Sequence, residues 1–176
     1  MEHQLSYRNE DDKCYGATGM AVAVIVFDGD DMLAAVDLDA EPGSMLEFTE
    51  DFYFSGHPSL SAKAAWNRIL KNFNITMALS MANLMCRRMV LDREQALDPD
   101  LRSQLRSLMI EVGHDSCSLD DDETSRLFDK NFTYLHRVFS HIGVQGVTRD
   151  FAEVLKRRRR MTRMDVIEQL RALRML

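Results

Sequence analysis

The chain has 176 residues, 45% hydrophobic and 28% charged, a composition typical of a globular protein. A chain of this length buries about 68–70% of its unfolded surface, so folding requires neither disulfides nor a structural metal. The three cysteines (Cys14, Cys86, Cys117) are widely spaced and odd in number, which argues against a disulfide framework. The N-terminus lacks an apolar signal segment, and no run reaches the roughly 20 apolar residues of a membrane helix. We therefore expect a cytoplasmic protein without membrane attachment.

The net charge of −6 conceals a gradient along the chain. Residues 1–60 contain thirteen acidic and two basic residues, whereas residues 148–176 contain four acidic and nine basic residues. Residues 61–147 are balanced, with eleven of each sign. Such a charge distribution indicates which partners the chain can attract and does not indicate its fold.

The first predicted elements are three β-strands. Residues 19–27 form a continuous apolar run rich in β-branched residues, and the turn-forming residues 28–31 follow it. Residues 32–38 are the predicted returning strand, and residues 45–54 alternate in polarity after a second turn at residues 41–44. The pattern predicts a three-stranded antiparallel meander.

Helical periodicity replaces the strand pattern after Pro58. Glycine and proline are absent from residues 59–98, and Ser59 or Ser61 can cap the start of a helix. Residues 72–76 are poor in helix formers, which predicts either two helices or one that bends. Four methionines recur at four-residue spacing, which indicates either a core face or an adaptable binding surface: Met77, Met81, Met85 and Met89.

Capping signals predict two further helices. Asp98 is a suitable N-cap with Pro99 at the first helical position, and Gly113 is a suitable C-terminal stop. The acidic residues 120–123 favour the start of the next helix, and Gly143 its end.

The remaining chain predicts two more helices. Thr148 is a candidate N-cap for the first, and Thr162 with Asp165 for the last. The last helix has an apolar stripe that must be buried, on its own domain or on a second subunit: Met164, Ile167, Leu170, Leu173 and Leu176.

Strands grouped ahead of five or six helices predict an α+β fold that is dominated by helix. We expect a single domain over residues 1–176. Within it, residues 19–56 are the β-rich part, residues 57–176 are the helical part, and residues 1–18 are a candidate flexible segment.

No motif identifies a catalytic centre or a cofactor. Glycine-rich phosphate loops and the Gly-x-Ser-x-Gly nucleophile elbow are absent from the sequence. His114 and Cys117 have a spacing suitable for metal ligands, but no second pair completes a zinc site. We therefore expect neither a metal nor a cofactor, and we identify no catalytic residue.

Two segments are candidate binding sites. Tyr53 and His57 lie at the predicted junction between sheet and helices, with Trp66 shortly after them, and could line a pocket. A basic patch of six residues could bind nucleic acid or an acidic protein surface: Lys156, Arg157, Arg158, Arg159, Arg160 and Arg163.

The sequence favours a non-catalytic interaction or structural protein that associates with itself or with another protein. The predicted homodimer contact includes residues 161–176, which carry the apolar stripe. One alternative is a nucleic-acid-associated protein that uses residues 156–163, although the overall acidity counts against it. The other is a ligand-binding protein or enzyme with a pocket near His57 and Trp66.

Overall fold

The computed structural model describes residues 6–53 and 61–175 of the chain. These residues form, in order, α1 (Glu10–Val26), β1 (Leu33–Asp37), β2 (Leu46–Phe48), α2 (Glu50–Tyr53), α3 (Ala62–Met85), α4 (Pro99–Cys117), α5 (Asp121–Ser140), α6 (Ile142–Arg158), β3 (Arg160–Thr162) and α7 (Arg163–Gln169). A π-helical segment, Cys86–Leu91, continues α3, and 3-10 turns occupy Pro42–Ser44 and Arg171–Met175. The predicted helix-dominated α+β class is confirmed.

The predicted strand over residues 19–27 is wrong, because these residues lie in and just after α1. The helix begins at Asn9, whose side chain accepts a hydrogen bond from the Asp12 amide at 2.9 Å. Residues 21–25 are all buried, so this part of the helix is apolar around its whole circumference. A short run of this kind does not distinguish a buried helix from a buried strand by its periodicity.

The sheet has three antiparallel strands in the order β2-β1-β3. β1 and β2 lie within the second and third predicted strands, and Val36 pairs with Leu46. The third strand comes from the basic patch near the C-terminus, where Met161 pairs with Val36. The observed sheet therefore joins two distant parts of the chain rather than forming a local meander.

The centre of the molecule is the contact between α1 and α3. Gly19 makes this contact close, because a Cβ atom there would overlap the carbonyl oxygen of Ala82 and the Cβ of Cys86. The methionine stripe is a core face, as one of the two interpretations predicted. Its four members are 0–2% exposed: Met77, Met81, Met85 and Met89.

The α3 helix is continuous through residues 72–76, and its N-cap is Ser61. The polar residues that weaken the local helix preference are held by other interactions. Asn72 donates to the carbonyl of Phe52 at 2.6 Å, and Asn74 accepts from Asn131 at 2.7 Å. Tertiary hydrogen bonds thus stabilise a stretch that intrinsic propensity disfavours.

Three predicted helix starts are confirmed. The side chain of Asp98 caps α4, Asp120 forms a capping box with Glu123, and Thr162 forms one with Asp165. Each start depends on residues within one turn, which explains why the sequence alone located them.

The predicted boundaries at Gly113, Gly143 and Thr148 are wrong. α4 continues to Cys117, and a Cβ at Gly113 would lie 2.8 Å from the Thr124 hydroxyl, so this glycine permits close packing rather than a stop. α6 begins at Ile142 and includes both Gly143 and Thr148. Thr148 is buried and donates to the carbonyl of Val144 at 2.7 Å instead of capping a helix.

The apolar stripe of the last helix packs mainly within its own chain. Leu170 and Leu173 are buried, and α7 contacts β1. Met164 is 70% exposed, and Leu176 lies outside the described residues. The stripe alone therefore does not require a second subunit.

Candidate functional site

The two described residues assigned to the predicted pocket at the junction of sheet and helices are both exposed. Tyr53, at the end of α2, is 69% exposed, and Trp66, near the start of α3, is 41% exposed. His57 lies outside the described residues. In this region Phe52 stacks on Phe48 with ring centroids 4.2 Å apart, and these rings join α2 to the sheet.

The basic patch is largely ion-paired within the chain. Arg160 contacts Glu47 at 2.6 Å, Arg158 contacts Asp165 at 3.0 Å, and Arg163 lies 3.9 Å from Asp30. Much of the positive charge of the patch is therefore paired with carboxylates of the same molecule.

Two further members of the patch, Lys156 and Arg159, form three more pairs with the N-terminal half. Lys156 binds Asp11, which raises the pKa of the lysine. Arg159 binds Glu10 and Asp39, and its hydrogen bonds lower the pKa of Asp39. Together with the Arg160–Glu47 pair, these contacts show that the basic C-terminal segment and the acidic N-terminal segment attract each other within one chain. Arg157 instead donates to the carbonyl of Glu153 at 3.3 Å.

An apolar cleft of about 480 Å³ lies where β2, α3, α4 and the residues before α1 meet. We call it the Tyr7 cleft, after the half-buried aromatic residue at its polar end. Its walls are mainly aliphatic, thioether and aromatic side chains, including Met20, Met45, Phe48, Leu79, Leu105 and Leu108. The volume lies within the range of small-molecule sites, about 300–1,000 Å³.

The polar end of the cleft is formed by Tyr7, Asn83 and Arg87. Asn83 donates to the Tyr7 hydroxyl at 2.6 Å, and its own carbonyl oxygen accepts from Arg87 at 3.5 Å. The Arg87 guanidinium lies 4.8 Å from the centre of the Tyr7 ring. Because the hydroxyl accepts from Asn83, its own hydrogen remains free to donate to an acceptor in the cleft.

A buried ion pair fixes this polar end. Arg87 donates to Asp12 at 2.6 Å and to the carbonyl of Ser6 at 2.7 Å, and both charged side chains are at most 1% exposed. Arg8 also donates to Asp12, at 2.7 Å, and contacts Asp92 at 2.9 Å in a more exposed position. Burial raises the pKa of Asp12, but hydrogen bonds from Arg87 and Arg8 outweigh it and hold that pKa well below its usual range.

The pairing determines which ligands the cleft can accept. The charge of Arg87 is compensated by Asp12, so the positive group behind the cleft does not require an anionic ligand. Burial raises the pKa of Tyr7, so its hydroxyl is a neutral donor at physiological pH. The site is therefore suited to an apolar body with a hydrogen-bond acceptor at one end.

Cysteine and metal chemistry receive no support from the described residues. Burial raises the pKa of Cys14 to about 11 and also raises those of Cys86 and Cys117, which disfavours reactive thiolates. Within residues 6–53 and 61–175, no three His, Cys, Asp or Glu side chains converge as metal ligands. His114 is exposed whereas Cys117 is buried, so this spaced pair does not act together.

Sequence reasoning missed Tyr7, Asn83 and Arg87. The one available signal was the position of Arg87 and Arg88 in the otherwise apolar segment Leu84–Leu91, where a buried charge requires a partner; the segment does not show which of the two arginines is buried. The partner of Arg87, Asp12, is 75 residues away, and only the packing of α1 on α3 brings the two together.

No protein-family model, curated protein or solved structure matches this chain. None of the helices within the described ranges has the length and apolar character needed to cross a bilayer.

Proposed function

We propose that the protein is a non-catalytic binding protein whose Tyr7 cleft holds a small, mainly apolar molecule with a hydrogen-bond acceptor at one end. The observation that carries this proposal is the pairing of an apolar wall with an oriented Tyr7 hydroxyl donor. A ligand site of this kind combines hydrophobic surface with a few fixed polar groups. The proposal retains the binding site predicted at a junction of sheet and helices, but with different residues.

The buried charges support a preformed site. Asp12, Arg87 and Arg8 tie the residues before α1 to the end of α3, so Tyr7 is positioned before a ligand arrives. A preorganised donor reduces the entropy lost on binding. Leu108, 40% exposed on α4, leaves the apolar wall accessible from solvent.

The test compares three ligands with the same alkyl chain and different ends: decanol, decanoate and decylammonium. Decanol and decanoate offer acceptors to the Tyr7 hydroxyl, whereas decylammonium offers only donors and a positive charge near Arg87. We expect the first two to shift the methyl NMR signals of Met20 and Met45, and decylammonium to leave them unchanged. The exposed Met164 and Met175 report non-specific binding in the same spectra.

Two variants locate the binding site. Leu108→Trp should block the cleft and abolish binding, whereas Ser107→Trp adds the same ring to an adjacent exposed position that does not line the cleft. Tyr7→Phe should weaken decanol binding by about 0.5–1.5 kcal/mol, the net contribution of one hydrogen bond. If none of the three ligands shifts Met20 or Met45, or if both Trp variants bind equally well, the proposal is wrong.

Self-association is the second candidate function. The exposed side chains of Met164 and Met175 belong to the C-terminal region for which the homodimer contact was predicted. Sedimentation velocity of the wild type and of Met164→Asp tests this: a dimer that the substitution dissociates supports the contact, and a monomeric wild type contradicts it. Nucleic-acid binding by the basic patch receives less support, because five of its six members pair with carboxylates of the same chain.

We also retain the proposal of a reducing, cytoplasmic environment. The three cysteines are present as buried free thiols, and an environment that forms disulfides is not needed to hold this fold together.

A further inference from the structure

A second groove, of about 570 Å³, lies between the end of the π-helical segment and the turn from α5 to α6. We call it the Arg93 groove. Arg93 and Arg149 line it, together with Ser140 and Gln145, and none of its residues lines the Tyr7 cleft. The two grooves are therefore independent sites.

The two arginines of this groove differ from most others in the chain. Among the residues that the structure describes, eleven of the seventeen arginines have a carboxylate within 4.0 Å. Within the described part of the chain, neither Arg93 nor Arg149 has such a partner. Arg149 donates to the side-chain oxygen of Gln145 at 3.1 Å, which orients its guanidinium without neutralising it. Two positive charges without a carboxylate in contact thus face one groove.

The backbone at Arg93 is strained. Its φ angle is 62°, in the left-handed region that is unfavourable for a residue with a Cβ. Arg93 lies two residues after the end of the π-helical segment, and its conformation is held by a hydrogen bond from the Glu94 amide to the carbonyl of Arg88 at 2.9 Å. Both left-handed non-glycine residues and π-helical turns are concentrated at functional sites.

Two helix ends meet at the groove. Ser140 is the last residue of α5 and Gln145 lies in the first turn of α6, so the negative end of one helix dipole and the positive end of the other are both present and largely offset each other. The field of the groove is therefore set by its charged side chains. Glu94 lines the groove as well and opposes the two arginines.

We propose that the Arg93 groove binds a small phosphorylated molecule, with Arg93 and Arg149 contacting the phosphate oxygens. Guanidinium groups match the geometry of phosphate and form charge-assisted hydrogen bonds to it. The groove has the volume of a small-ligand site, and the aliphatic stems of its long side chains, including Gln95 and Arg149, supply an apolar surface for the organic part of the ligand.

The experiment measures binding by isothermal titration calorimetry with phenyl phosphate, inorganic phosphate and phenol as probes. Phenyl phosphate should bind most tightly, inorganic phosphate more weakly and phenol not detectably. Binding should weaken as salt concentration rises, because solvent-exposed charges are screened. Equal affinities for phenyl phosphate and inorganic phosphate, or no binding of either, would overturn the proposal.

Charge variants complete the test. Arg93→Gly removes the guanidinium and relieves the left-handed backbone, so the variant should fold and bind phenyl phosphate about fivefold more weakly. Arg149→Gln should have a similar effect, while Glu94→Gln should strengthen binding. Arg157→Gln removes the same charge from α6 outside the groove and is the matched control. If Arg157→Gln weakens binding as much as Arg149→Gln does, the groove is not the site.

Discussion

Replacing Asp12 by Asn should destabilise the protein by about 3–5 kcal/mol, the usual cost of breaking a buried ion pair. The Asp12 side chain is fully buried and accepts hydrogen bonds from Arg87 at 2.6 Å and from the Arg8 side chain and amide at 2.7 and 2.9 Å. The Asn side chain keeps one acceptor oxygen, but its NH2 group would face the N–H donors of Arg87 and Arg8. It also leaves the Arg87 guanidinium buried without a countercharge. For a protein of this size, the melting temperature should fall by roughly 6–20 °C.

The assay is urea unfolding followed by far-UV circular dichroism, with Asp92→Asn as the matched control. Asp92 binds the same Arg8 at 2.9 Å, but its side chain is 23% exposed. Exposed pairs contribute only about 0–1 kcal/mol. If Asp12→Asn lowers the free energy of unfolding no more than Asp92→Asn does, burial does not determine how strongly the ion pairs of Asp12 stabilise the protein, and the prediction is wrong.

The same substitution should change the pH dependence of stability. The pKa of Asp12 is lowered in the folded state, so the unfolded chain binds a proton first as the pH falls. The contribution of Asp12 to the free energy of unfolding is complete above the pKa of this carboxyl in the unfolded chain, about 3.9. The contribution is lost as the pH falls toward the lower pKa of the folded state. Wild-type stability should decline below about pH 5 more steeply than that of Asp12→Asn. Parallel curves for the two proteins would contradict the assigned pKa direction.

Two further predictions concern packing and thiol access. Gly19→Ala should destabilise the protein by about 1–3 kcal/mol, because α1 and α3 must move apart to accommodate the new Cβ. Gly146→Ala should stabilise it by up to about 1 kcal/mol, because this position on α6 has open space and alanine is the better helix former. Urea unfolding of both variants measures the two changes in free energy. The three cysteines are at most 2% exposed. A thiol-specific reagent should therefore label the native protein slowly and the urea-unfolded protein completely. Rapid labelling of the native protein would contradict the observed burial.

The Asp12–Arg87 pair also links stability to the proposed function. It fixes the residues that carry Tyr7, and Arg87 itself lines the Tyr7 cleft. A substitution that loosens this pair should therefore weaken ligand binding as well as the fold. Leu108→Trp, by contrast, changes a partly exposed wall and should block binding with little effect on stability.

Local signals in the sequence determined the class of fold and most helix starts. Asp98, Asp120 and Thr162 cap their helices through contacts within one turn, so neighbouring residues are sufficient to predict them. The four-residue spacing of the methionines likewise predicted that they share one face, because residues so spaced lie on one side of a helix. The spacing left open whether this face belongs to the core or to a binding surface, and the structure buries it.

The tertiary structure alone decided the features that depend on distant partners. Residues 21–25 are buried on all sides because α1 packs mainly against α3, the π-helical segment and α6. A short apolar run does not reveal by its periodicity whether it forms a buried helix or a buried strand. The third strand lies in the basic patch because Met161 pairs with Val36, 125 residues earlier in the sequence. Tyr7, Asn83 and Arg87 form one site for the same reason: only the packing of α1 on α3 brings a buried charge to its counterion and creates the cleft beside it.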